Sequence, residues 1–193
     1  MKITALGLAA GVVFGTATAL VNALSSPYSE IGMPLTGTVV GRTAKVLSLL
    51  LDAGWSWAAL AVLAGWLARS LVRGAVAGAL SLVGATVAYY VTDSAVADAS
   101  TDMSAWVTVG VPFGLVLGAI GSAVRRSGAV GLLAALVVPM GAAAQMIVMP
   151  PRPHLTVTPS ILVAEVIVWT AAALGAGWAV RRFWTQRNAV GTV

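Results

Sequence analysis

Polar positions divide the chain into six long apolar runs, at 4–24, 46–68, 71–92, 105–124, 129–149 and 160–180. Each is near the ~20 residues that carry an α-helix across a ~30 Å hydrocarbon layer. The pattern predicts an all-α fold, a polytopic membrane helical bundle of about six transmembrane helices. A single integral membrane domain covers 1–193. The first run follows Lys2 as a signal peptide would, but it exceeds the ~7–15 apolar residues of a signal core. It is therefore expected to be a retained helix. Within it Gly7, Gly11, Gly15, Ala19 and Ala23 recur at every fourth position, which makes one helix face flat enough for close backbone approach. Gly110, Gly114 and Gly118 repeat the device. Helix packing inside this protein is the expectation for both stripes, with a docking face for another subunit as the alternative.

The longest connection, Ser25 to Lys45, is punctuated by Pro27, Gly32, Pro34 and Gly37. Val39 to Leu47 can form a short interfacial or re-entrant helix, which would make the connection either a lid or a plain surface segment.

Composition agrees with the runs. The chain of 193 residues is 59% hydrophobic and 9% charged, with mean hydropathy +0.95. Soluble domains carry about 25% charged residues. The bilayer is thus the first expected partner. Cysteine is absent, which excludes disulfides and thiolate chemistry, and the lone His154 excludes a histidine metal cluster. In a soluble protein a charge of +5 would point to nucleic acid. Here Lys2, Arg69, Arg73, Arg125, Arg126, Arg181, Arg182 and Arg187 fall on one side of the six-run topology, against Arg42, Lys45 and Arg152 on the other. That bias predicts cytoplasmic N and C termini in the cell membrane and no nucleic-acid partner.

The acids then become the candidate chemistry. Asp52 lies in LLLDAGWSWAALAVLAGW, about 9 Å inside the second run at 1.5 Å per residue. A carboxylate there costs roughly 2.5–3.5 kcal/mol and needs a partner, a wet cavity or a task. Glu165 stands at similar depth in the sixth run. Asn22, Gln145, Tyr89 and Tyr90 come near the same level, and Asp93 follows the tyrosines by one helical turn. Residues three and four apart share a helix face, which pairs Asp52 with Trp55 and Glu165 with Trp169; Trp57 and Trp106 stand nearby. One aromatic-lined pocket holding two or three acids is the expectation. Asp98 and Asp102 read as solvated loop carboxylates, and Trp66, Trp178 and Trp184 as interfacial anchors. Three blander readings stay open. Trp55, Trp57 and Trp169 can be anchors too, Asp52 and Glu165 a fold-stabilising pair, and Asn22 and Gln145 interhelical hydrogen-bonding groups.

No Gly-rich phosphate loop and no adjacent Asp pair for a magnesium diphosphate is present, and a Ser–His–Asp set would need His154 from a Pro-rich loop. Reactions that begin by protonation remain. A carboxyl group shielded from water favours its neutral form, which can serve as a general acid, and aromatic faces stabilise a cation beneath them.

The segments SSPYSEIG, LDAGWSWAALAVLAGWLA and AYYVTDS resemble a family of small actinobacterial membrane proteins. Size, span count and the acid–tryptophan grouping are also similar to those of small bacterial integral-membrane terpene cyclases of the drimentine type. That resemblance implies a proton-initiated (class II-type) cyclase, working without a cofactor or metal on a lipophilic prenylated or isoprenoid substrate. By chemistry and position rather than by matched motif, Asp52, Glu165 and Asp93 are the candidate catalytic residues. Trp55, Trp57, Tyr89, Tyr90, Trp106, Trp169, Asn22 and Gln145 are the candidate substrate-binding residues. The competing expectation is a substrate-binding S-component of an energy-coupling-factor vitamin transporter, which six spans, inward termini and a lid-like first loop would also fit.

Overall fold

The computed structural model describes residues 2–97, 102–151 and 157–190; Asp98, Arg152 and His154 lie outside them. The described residues form α1 (Lys2–Ser25), α2 (Val39–Leu51), α3 (Gly54–Ala68), α4 (Leu71–Ala97), α5 (Ser104–Ala123), α6 (Gly128–Val148) and α7 (Pro159–Val190), with a short 3-10 turn at Met33–Leu35. Five of the helices are long and apolar enough to cross a membrane, and α2 with α3, bent by 63°, make up a sixth, broken span. The protein is therefore an all-helical, multi-pass membrane bundle.

Two helices outrun their apolar stretches. α4 continues to Ala97 and α7 to Val190. In the polar extension of α7, Arg182 lies 5.5 Å from the Trp178 ring centre and Arg187 5.6 Å from that of Trp184. These pairs sit one turn apart on the helix, the spacing at which side chains meet.

Glycine positions decide the packing. α1 and α4 run parallel, and a Cβ added at Gly7, Gly11 or Gly15 would meet the carbonyl oxygen of Ala77, Ser81 or Ala85 at 2.9, 2.1 and 2.0 Å. The first stripe thus packs inside the protein, against α4. On α5, Gly114 abuts Gly78 and Ala79, while Gly118 lies against Gly74 and against Gly65 of α3. Lipid tails are as apolar as leucine, so close van der Waals contact between backbones takes over the role that water exclusion has in soluble cores. Ala61, Ala64, Ala68, Ala77 and Ala85 fill the buried centre accordingly. α6 and α7 form a separate hairpin around Ala142, Met146, Val168 and Ala172, and Leu50 and Trp55 pack against it.

Charges segregate to two ends. At the basic end Arg125 stacks 4.3 Å from the Trp66 ring centre and its Nε donates to the Trp66 carbonyl at 2.8 Å. At the opposite, acidic end lie Glu30, Asp52, Asp93 and Asp102, with Arg42 and Lys45 on α2. The connection from α1 to α2 folds on Ser29, whose Oγ donates to the carbonyls of Ala23 and Ser26 and accepts from the Gly32 N–H at 3.0 Å.

Candidate functional site at the helix break

The second apolar run is not one helix. Its helix begins early, at Val39, and stops at Leu51; Asp52 is an exposed residue in the break, not a carboxylate six residues deep in a continuous span. Asp52 still donates its N–H to the Ser48 carbonyl at 2.9 Å, then Ala53 turns extended with ψ 138° and Gly54 opens α3. A break at membrane depth must satisfy its backbone groups internally. Ser56 Oγ donates to the carbonyls of Leu51 (2.7 Å) and Ala53 (2.6 Å), and the Trp55 N–H donates to Gln145 Oε1 at 2.9 Å. Gln145 is therefore a cap supplied by α6 to the start of α3. Local hydrogen bonding by a small hydroxyl residue competes with helix continuation, and this is why the hydrophobic pattern alone ran through the break.

Three helices meet beside the break through Asn22. Ser48 Oγ on α2 donates to Asn22 Oδ1 at 2.6 Å, and Asn22 Nδ2 donates to Tyr89 Oη on α4 at 3.2 Å. The Asn22 amide also lies near the Asp52 carboxylate, which the charges of Asp93 and Lys45 reach as well. A chain of edge-on rings backs this network. Phe14 and Trp57 have centroids 5.5 Å apart at 88°, Trp57 and Tyr89 6.2 Å at 67°, and Tyr89 and Tyr90 5.4 Å at 81°. Such edge contacts suit the ring quadrupoles. Trp106 approaches Tyr90 from α5 but is itself 63% exposed.

The structure thus brings together Asp52, Asp93, Asn22, Tyr89, Tyr90 and Trp57, with Trp106 at the margin. The remaining expected residues lie elsewhere, and the single five-helix level becomes two groups. Glu165 is buried on α7, a helix whose neighbours among the described residues are α2 and α6, not α1 or α4. The acid whose charge reaches Asp52 is Asp93. Trp169, one turn from Glu165 on α7, is 45% exposed. Trp55 packs into the α6–α7 core with a buried Nε1 that has no hydrogen-bond partner among the described residues. Sequence reasoning passed over Ser48, Lys45, Ser56 and Phe14. Ser48 and Lys45 stand four and seven residues before Asp52, a helical spacing open to inspection; Phe14 gives no local signal.

Beyond the spans, Asp102 accepts from the Ser104 N–H (2.8 Å) and hydroxyl (2.9 Å), which hold its carboxyl below the ordinary range. It therefore has local partners at the start of α5 as well as solvent.

No family model matches this chain, and neither a curated protein nor a solved structure matches it.

Proposed function

We propose that this protein is an integral-membrane cyclase that protonates the terminal alkene or epoxide of a lipophilic prenylated substrate and closes rings through a carbocation. The observation that carries this reading is the Ser48–Asn22–Tyr89 network, which sets a phenol near one carboxylate, Asp52, at a helix break beside four aromatic rings. In this reading Asp52 delivers the proton and Asn22 orients it. Trp57, Tyr89 and Tyr90 shield the cation, a stabilisation of about 2 kcal/mol when desolvated. Asp93 takes the final proton, and the break faces the outer leaflet, with both termini cytoplasmic. With an alkene substrate, one proton is gained at the terminal carbon, C–C bonds form, and one proton is lost, so the product is an isomer of the substrate.

The test incubates purified protein in detergent with a farnesylated indole and with its terminal epoxide, in H2O and D2O. The expected product keeps the substrate mass in H2O; in D2O the alkene-derived product carries one carbon-bound deuterium, whereas the epoxide-derived product carries its deuterium on a hydroxyl that exchanges out in H2O. Asp52→Asn abolishes turnover while the variant still inserts and elutes as a folded species. Wild-type turnover in Asp52→Asn would exclude Asp52 as the donor.

The broken α2–α3 span favours a second reading, a substrate-capturing subunit of a transporter, because discontinuous helices turn polar backbone toward bound solutes. Copurification with an ATPase module or a retained vitamin would mark that alternative.

A further inference from the structure

A furrow of about 210 Å³ runs between α2 and α7 at the acidic end, apart from the Asp52 network and independent of the reaction proposed there. Arg42, Thr43 and Ser160 line its polar side; Val39, Val46 and Val163 line its apolar side. Val39 and Val163 are exposed, so the apolar wall opens toward lipid.

Arg42 needs an explanation of its own. It lies on the side that holds only three of the eleven basic residues, so the charge bias that sets membrane orientation does not account for it. It also stands in the first turn of α2, where a cation opposes the helix dipole. Of its five N–H donors, one bonds the Gly37 carbonyl at 3.3 Å, and among the described residues no carboxylate pairs with it. Lys45, the other described cation at this end, does not line the furrow, and its charge reaches the Asp52 carboxylate. α2 and α7 both begin at this furrow, so two positive dipole ends add to the guanidinium. Ser160 Oγ, 3.5 Å from the Arg42 carbonyl, ties the two first turns together.

We propose that this furrow binds one phospholipid with a net anionic head group. Its phosphate sits on the Arg42 guanidinium beside the Thr43 hydroxyl, and one acyl chain lies along Val46 and Val163. Arginine offers several donors to phosphate oxygens, and Val46 and Val163 continue the furrow beside it as an apolar wall.

Native mass spectrometry of the full chain, delipidated and then exchanged into mixed micelles containing equal phosphatidylglycerol and phosphatidylcholine of matched chains, tests this. The expected result is one retained phosphatidylglycerol, preferred about fivefold over phosphatidylcholine, the ratio that one basic residue near an anionic surface supplies. Arg42→Gln removes the preference and Lys45→Gln keeps it. Val163→Phe, which fills the apolar side and leaves the charge, reduces retention of both lipids. Equal retention of the two lipids by the wild type overturns the proposal, as does an unchanged preference in Arg42→Gln. Displacement of the lipid by inorganic phosphate at matched concentration also overturns it, because the site would then read a free anion. If Arg42→Gln does not fold, Val163→Phe decides alone: undiminished lipid retention overturns the site.

Discussion

Replacing Gly15 by alanine tests the link between helix packing and the Asn22 network. The new Cβ would lie 2.0 Å from the Ala85 carbonyl oxygen, where ordinary contact begins at 3.4 Å. The obstacle is backbone, so α1 must withdraw from α4 by about 1.4 Å, because close-packed interiors leave no void to absorb it. Asn22 lies two turns further along α1, about 10 Å away. Its bond to Tyr89, at 3.2 Å, has little slack before it ceases to be a hydrogen bond. Overpacking costs roughly 1–3 kcal/mol, and a lost interhelical hydrogen bond in a membrane about 0.6 kcal/mol. Alanine returns about 0.8–1 kcal/mol of helix propensity. The expected net loss is about 1–3 kcal/mol. The controls are Gly141→Ala and Gly177→Ala, which have nothing within 4 Å of the added Cβ and are expected to be neutral or stabilising. SDS titration in mixed micelles, followed by tryptophan fluorescence, measures the three midpoints on the same scale. A Gly15→Ala midpoint equal to that of Gly177→Ala would refute the close α1–α4 contact and the coupling built on it.

Gln145→Leu strips the cap from the Trp55 N–H and is expected to cost about 1–2 kcal/mol, the scale of a lost helix cap. Gln145→Glu, which keeps an acceptor, restores part of it in the same SDS titration. Asp102 has a folded pKa held below its unfolded one by Ser104. Its contribution is complete above the ordinary carboxylate range and is lost as pH falls through the depressed value. Asp102→Asn should therefore lower stability at neutral pH, converge on the wild type in acid, and so flatten the acid limb of the stability–pH curve read by the same SDS titration.

The chain's apolar periodicity was enough to specify an all-helical membrane bundle. Runs of hydrocarbon length leave the backbone no alternative, because a helix satisfies its own hydrogen bonds in lipid. The four-residue glycine spacing likewise announced close helix contacts, since a missing Cβ acts on any neighbour. Which neighbour it meets was not legible: Gly15 faces Ala85, seventy positions away, and only the folded bundle states that. The same limit governs the site. Asp52 is conspicuous in the sequence, yet its place in a break depends on Ser56 and on Gln145 from another helix. Depth along each run set Glu165 beside Asp52 in expectation; the side-by-side order of the helices sets Asp93 there instead. Sequence fixes how far along a span a polar group sits. Only tertiary structure decides which helix faces it, because hydrophobic length is a property of each segment alone and adjacency is a property of all of them together.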